Sequence, residues 1–275
     1  MRREIYWEKA LEKTKISIDK GHLFPLSTYD ITKEFYDKND FLIRRLDTSK
    51  FIRDVNIGPK INPFNPWEKI LEIGKIGQFH HLILNKYPVQ LGHILLITNK
   101  WMPQNGWLDL NDWKAIKAVN NDTSGLWFFN SSPLAGASQP HRHIQLLRRS
   151  HNENICPREK WFLNFKKGEV NKKLFKNIIV KSFNFSCDIN NIYENYIDLS
   201  RNIGIGDPLK DNKPKKPYNL LITNNWIALI KRSNDKLYGF SVNGLGFAGY
   251  LLVTEKSDTT YLKINGPEKL LENFL

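Results

Sequence analysis

The spacing of apolar and polar positions changes period several times along this chain. Residues 5–19 place Tyr6, Ala10, Leu11 and Ile18 near one face of a helix. Ser27 stands where it caps a second helix running to about Asp37. Three prolines within residues 53–67 predict an ordered loop. Residues 79–85 and 92–98 are short apolar runs of strand type, and the segment between them predicts an antiparallel pair. A helix is expected from Asn111 to Val119. Trp127 to Asn130 and His141 to Leu147 read as a further strand pair, joined by a Ser/Pro/Gly/Ala loop.

The second half continues the mixture. Residues 176–185 are strand-like, and Asp188 caps a helix that carries Ile189, Ile192, Tyr193, Tyr196 and Ile197 at helical spacing. Residues 218–223 and 226–231 flank Asn224-Asn225, a two-residue hairpin turn. A last strand is expected at 247–253 and a short closing helix at 267–275. No internal repeat is visible. Many strands with short turns, and helices between some of them, predict an α+β fold with a mainly antiparallel sheet flanked by helices. The Lys/Pro-rich stretch 207–217 is the linker candidate, dividing the chain into 1–206 and 207–275 within one compact structural unit.

Composition narrows the function. With 275 residues, 8 Trp, 16 Phe and 10 Tyr, the chain is neither disordered nor low-complexity. Lys+Arg 41 against Asp+Glu 28 gives a net charge of +13, spread along the chain. That excess suits a polyanionic ligand, a small polyphosphate included, or a nucleic acid. No helix-turn-helix, zinc-finger or RRM signature is present, so no specific nucleic-acid partner is expected. No apolar run reaches the roughly 18 residues of a membrane span, and the first residues lack a signal-peptide core. Only Cys156 and Cys187 occur, too few for a disulfide framework or a Cys-rich zinc site. A soluble, cytoplasmic protein with no tightly bound cofactor or metal is the expectation.

The chemistry lies in Trp127 through Gln145. On a strand His141, His143 and Gln145 share one face, about 7 Å apart in succession. The preceding loop, Gly136-Ala137-Ser138-Gln139-Pro140, offers small residues and backbone N–H groups suited to an anion, and Asn130 adds an amide at its far end. Two histidines beside a glutamine also fit a solvated surface, or a partial metal site that needs a third ligand.

This segment resembles the His-x-His-x-Gln branch of the histidine-triad superfamily, shared by galactose-1-phosphate uridylyltransferases and diadenosine tetraphosphate phosphorylases. Residues 82–98, the Gly-Ala-Ser-Gln-Pro-His loop, residues 218–226 and 241–249 are similar to the phosphorylase, also called ATP adenylyltransferase. The zinc-binding cysteines of many uridylyltransferases are missing. Gln145 stands where the shorter histidine-triad hydrolases carry a third His, and Arg142 where they have an apolar residue; Arg142 is taken as outward-facing and without chemistry.

The resemblance implies a histidine-triad-like fold and a double displacement at an α-phosphorus. His143 is the nucleophile, Gln145 a donor to the α-phosphate and His141 a supporting partner. Asn130, Gly136, Ala137, Ser138 and Gln139 line the polyphosphate path, and Asn85 and Lys86 occupy nucleotide-contact positions. Lys60 either reaches the phosphates or is solvated. Asn219 and Lys231 come from the second substrate-contacting segment. His22, His80, His81, His93 and His151 are read as structural. The implied partners are small nucleotides (diadenosine tetraphosphate, ATP, ADP) and phosphate, with Mg2+ accompanying the polyphosphate. Rival readings are a nucleotidyltransferase for adenylyl sulfate or a sugar phosphate, and a basic RNA-binding module.

Overall fold

Runs of β-branched, leucine and aromatic residues pair here into one large sheet. The computed structural model describes residues 4–36, 38–50, 64–148, 155–170 and 175–275. In chain order its elements begin with α1 (Ile5–Asp19), β1 (Thr28–Asp30), α2 (Thr32–Phe35) and β2 (Leu42–Leu46). Then follow β3 (Glu72–Ile76), β4 (His80–Leu84), β5 (Ile94–Thr98), α3 (Leu110–Asn120), β6 (Leu126–Asn130) and β7 (His143–Leu147). After α4 (Glu159–Lys167) come β8 (Ile178–Ser182), α5 (Ile189–Asn202), β9 (Tyr218–Ile222) and β10 (Trp226–Lys231). The chain closes with β11 (Lys236–Leu237), β12 (Phe240–Ser241), α6 (Gly244–Phe247), β13 (Tyr250–Val253) and α7 (Thr259–Glu272).

Eight strands form the main sheet in the order β3-β4-β5-β7-β6-β9-β10-β8, each antiparallel to its neighbours. A smaller sheet, β1-β2-β13, includes a parallel pair, β2 with β13. The expected α+β class and antiparallel sheet are what the molecule has.

Because side chains alternate along a strand, each face of the main sheet carries its own set. One face gathers Leu82, Leu96, Trp127, Phe129, Ile144, Leu146, Leu220 and Ile222 into a core with Trp113 and Ile116 of α3 and Tyr196 of α5. On the other face, Phe128, Leu221, Ala228 and Ile230 pack with Phe162 of α4, Phe247 of α6 and Leu270 of α7. Among the described residues, the β4–β5 end of that second face carries a small cluster, Ile83, Leu95 and Ile97 with Phe64 and Trp67. His143 and Gln145 project there. Each fully buried large apolar side chain contributes about 1.5–3 kcal/mol, so the two deep cores hold the sheet while that corner is left for chemistry.

Several local expectations are corrected. Ser27 caps no helix: Thr28–Asp30 is a strand paired with β2, and only four residues, Thr32–Phe35, turn helically after it. The β-branched and aromatic pair Thr28-Tyr29 favours the ladder, and the Asp30 carboxylate accepts from Thr32 N at 2.8 Å to make the turn. In α1 the inward face is Ala10, Thr14 and Ser17, while Leu11 and Ile18 are exposed. The amides of Ile5 and Tyr6 are fixed by the Asp122 carboxylate, which sets the rotation of the helix. Residues 244–247 are helical, with Asn243 accepting from Leu245 N, so the last strand begins only at Tyr250. The closing helix starts at Thr259 rather than Pro267; Gly266, at φ 76°, breaks it just before that proline. Most of the proline loop predicted at 53–67 falls outside the described residues.

Candidate active site

His143 opens β7, and its backbone is clamped before its side chain is placed. Its N–H donates to Gln104 Oε1 at 2.8 Å, and Gln104 Nε2 donates to Asn130 O at 2.7 Å and to His143 O at 3.2 Å. One buried carboxamide thus ties the head of β7 to the end of β6. The imidazole Nδ1 lies 2.8 Å from His141 O. A carbonyl only accepts, so Nδ1 carries the proton and Nε2 keeps its lone pair.

His141 does not belong to β7. It sits two residues earlier and forms an isolated bridge with Pro103, a correction to the reading that put all three motif residues on one strand. Pro140 and the loop before it interrupt the ladder at that point. Its Nε2 donates to Thr98 O at 2.9 Å, with Thr98 Oγ1 at 3.0 Å. Phe64 stands 5.5 Å from both imidazoles, and Trp101 lies 5.3 Å from His141. Burial pushes the His143 pKa down to about 4 and the His141 pKa below its ordinary value. Both rings are neutral near pH 7, and a neutral ring is the nucleophilic form.

A pH dependence follows. In the single-turnover release of the leaving nucleotide without phosphate, the rate is expected to hold from pH 8 down to about 5.5. An acid limb centred on the ordinary histidine value of 6.5 would contradict this environment for His143. Stability runs the other way. The unfolded chain binds protons from about pH 6.5 downward, whereas folded His143 and His93 do so only near pH 4, so stability falls as pH drops through that window.

Arg142 is not outward-facing, contrary to expectation. Alternation sends it to the face opposite the two histidines, where α3 covers it. There Arg142 Nη1 meets Asp112 Oδ2 at 2.9 Å, and Asp112 Oδ1 meets His80 Nε2 at 2.8 Å. Arg142 is 3% and Asp112 1% exposed, so the pair is fully dry. Asp112 Oδ2 also accepts Asp109 N at 2.9 Å, completing a capping box at the start of α3.

The loop between β6 and β7 is braced from below. Asn130 Oδ1 accepts from Asn219 Nδ2 at 2.8 Å and from Gly244 N at 2.9 Å. Asn219 Nδ2 also donates to Ala135 O, and Arg232 Nη1 donates to Asn219 Oδ1 at 2.6 Å. Asn130 and Asn219 are therefore brought together, as buried props of the loop. Gly136, at φ 85°, would place a Cβ 2.5 Å from that of Asn243, so the turn requires glycine. The amides of Gly136 and Ala137 are taken by Pro133 O and Ser132 O. Ser138 is exposed beyond them, and Gln139 Oε1 is buried without a hydrogen-bond partner.

The remaining sequence candidates scatter. Asn85 lies at the end of β4, its Nδ2 3.2 Å from His93 Nδ1. Lys86 pairs with Glu68 at 2.6 Å. Lys231 lies on the face opposite His143, its Nζ donating to Ile203 O at 3.3 Å. Lys60 falls outside the described residues, as does His151. Gln104, Thr98, Asp112 and Arg232 were not foreseen. Each is a polar residue whose partner is remote in sequence, so no spacing in the sequence marks it. Among the described residues no group of three or more His, Cys, Asp or Glu is placed to hold a metal ion, and no helix is long and apolar enough to cross a membrane.

Residues 1–160 match the Ap4A phosphorylase N-terminal domain, and residues 170–274 match the ATP adenylyltransferase C-terminal domain. Protein APA1 of Saccharomyces cerevisiae is 28% identical over 238 residues, 76% of this chain and 73% of that protein. Diadenosine 5',5'''-P1,P4-tetraphosphate phosphorylase 2 of the same yeast is 25% identical over 226 residues, 71% of this chain and 69% of that one. The crystal structure of yeast Ap4A phosphorylase Apa2 in complex with Ap4A superposes with a TM-score of 0.75 at 19% identity, covering 100% of this chain and 97% of the other. A crystal structure of Apa2 in complex with AMP gives 0.74 at 20% identity, covering 100% of this chain and 96% of that one. At such identities the superposition speaks for the fold.

Proposed function

Since the chain belongs to the Ap4A phosphorylase family, whose N-terminal domain its residues 1–160 match, we propose that it splits diadenosine tetraphosphate with inorganic phosphate into ATP and ADP, and runs the reverse reaction. His143 Nε2 attacks the α-phosphorus, the bond from that phosphorus to the bridging oxygen breaks, and ATP departs with the electron pair. A phosphate oxygen then attacks the same phosphorus, the P–N bond breaks, and ADP forms as the imidazole is restored. The observation that carries this reading is the Nδ1–H···O bond from His143 to His141, which leaves Nε2 unprotonated on the face where the ring meets Phe64.

The other roles follow from chemistry. Gln145 donates an N–H to the α-phosphate, and Ser138 and Gln139, beyond the internally bonded part of the loop, meet the outer phosphates. Catalysis beyond the nucleophile is electrostatic placement of phosphate oxygens. Magnesium arrives with the polyphosphate as part of the substrate, and the protein works in the cytoplasm. Incubation with diadenosine tetraphosphate, with and without phosphate, followed by product separation tests the assignment. ADP that appears only with phosphate supports it; equal AMP with and without phosphate would make the protein a hydrolase.

Gln145 gives a finer test. A carboxamide has no useful pKa and cannot activate water, whereas phosphate brings its own anionic oxygen. Gln145→His is expected to raise the AMP-to-ADP ratio at fixed phosphate. If Gln145 only positions phosphate, the variant loses rate, by about 1–3 kcal/mol, without gaining AMP. An unchanged rate and ratio would take Gln145 out of the site.

A further inference from the structure

The two ends of a carboxamide act oppositely on a phosphate: the NH2 end donates to its oxygens, and the carbonyl end repels them. Gln145 must present the first. Its neighbours settle the choice. Leu95 of β5 lies directly across from Gln145 in the ladder, and His93, two residues earlier, shares that face. The His93 carbonyl accepts from Asn85 N at 2.9 Å, which extends the ladder to this point. The His93 ring is buried, 5.7 Å from Phe128, the residue paired with Gln145 on its other side.

Hydrogen-bond direction can be followed group by group. The backbone N–H of Tyr87 can only donate, and it donates to Asn85 Oδ1 at 3.1 Å. That orients the Asn85 carboxamide, so its Nδ2, 3.2 Å from His93 Nδ1, is the donor there. Nδ1 is then an acceptor without a proton, and the neutral ring carries its proton on Nε2. His93 is neutral because burial pushes its pKa down to about 4. Nε2 is itself buried without a hydrogen-bond partner, and Gln145, diagonal to His93 on the same face, is the polar side chain whose influence the ring feels. An N–H facing a carboxamide selects its oxygen. Contacts of this kind tighten when substrate is bound.

We propose that Tyr87 N–H, Asn85 and His93 form a one-way hydrogen-bond relay that holds the Gln145 carbonyl toward His93 and its NH2 toward the substrate's phosphate. The inference rests on the reading of Gln145 as the phosphate donor. It makes His93 and Asn85 positioning residues, which act on the reaction through Gln145.

The tautomer is read directly by NMR of the 15N-histidine-labelled wild-type protein without substrate, the His93 signals being assigned by their loss in His93→Gln. Protonated Nε2 and bare Nδ1 on His93 are expected; a proton on Nδ1 overturns the relay. In turnover of diadenosine tetraphosphate, His93→Leu is expected to lower kcat about tenfold to a hundredfold with KM within about twofold. His93→Gln, whose NH2 stands near the lost Nε2–H, is expected to recover most of that loss. In a Gln145→Ala background His93→Leu is expected to add less than about twofold. An equal loss in both backgrounds would mean that the ring acts through packing and would overturn the relay. A protein with no turnover but with Nε2–H on His93 would sink the assigned reaction and leave the relay supported.

Discussion

His143→Ala is expected to lower ADP formation from diadenosine tetraphosphate by on the order of 10⁴-fold or more, with nucleotide affinity within a few fold of wild type. The reason is chemical. The other described imidazoles of that face are engaged elsewhere: His141 Nε2 is committed to Thr98, His93 is buried between Asn85 and Gln145, and His81, two strands away, is held by Asn99 with Glu72 on its far nitrogen. Wild-type protein given α-labelled substrate without phosphate is expected to hold acid-labile label on histidine, and the alanine variant none. Fold is checked by thermal melting, since the His143 backbone N–H still bonds Gln104 when the ring is gone. Normal turnover by the alanine variant, or wild-type enzyme that never takes up label, would end the covalent mechanism.

The largest loss of stability is expected away from the reacting atoms. Arg142→Met should destabilise the protein by about 3–5 kcal/mol, the usual consequence of leaving one half of a dry ion pair alone. Asp112 would keep His80 and the Asp109 amide but lose the cation that balances it. Urea titration of wild type, Arg142→Met, Asp112→Asn and the double variant measures this. The double variant is expected to be more stable than the sum of the single losses allows, because both charges leave together. Losses below about 1 kcal/mol in both single variants would show that the pair contributes little. Arg142 lies between His141 and His143 in sequence, so the loosened strand should also lower kcat at temperatures where the variant remains folded.

What the sequence made legible was local. Asp188 before an apolar 3.6-residue pattern marked the start of α5, and its carboxylate does accept from Asn190 N. Asn224-Asn225 between two apolar runs predicted the β9–β10 hairpin. The family resemblance carried by the His-x-His-x-Gln segment implied His143 as the nucleophile before any geometry was known. The support beneath it was not legible. Alternation already put Arg142 on the face away from the histidines, but nothing nearby showed that α3 covers that face with a carboxylate, and an arginine is exposed by default. Gln104, Asn219 and Arg232 act through partners 26, 89 and 13 residues away. Lys231 failed to join the site for a simpler reason: its register in β10 turns it toward Ile203. In α1 the apolar residues misled, because the orientation of the helix is set by amides held on Asp122.

The pairing of β6 with β9 has a consequence for how the chain can be divided. Strands β3 to β7 lie in the region matching one domain, and β8 to β10 in the region matching the other. Within the main sheet the two regions meet only where Trp127, Phe128, Phe129 and Asn130 face Ile222, Leu221, Leu220 and Asn219. Severed between residues 160 and 170, each fragment would carry a fully buried five-residue strand as a bare edge, open to pairing with any other chain. The two sequence modules are thus halves of one zipper. Independent inheritance or exchange of either half would expose a sticky seam.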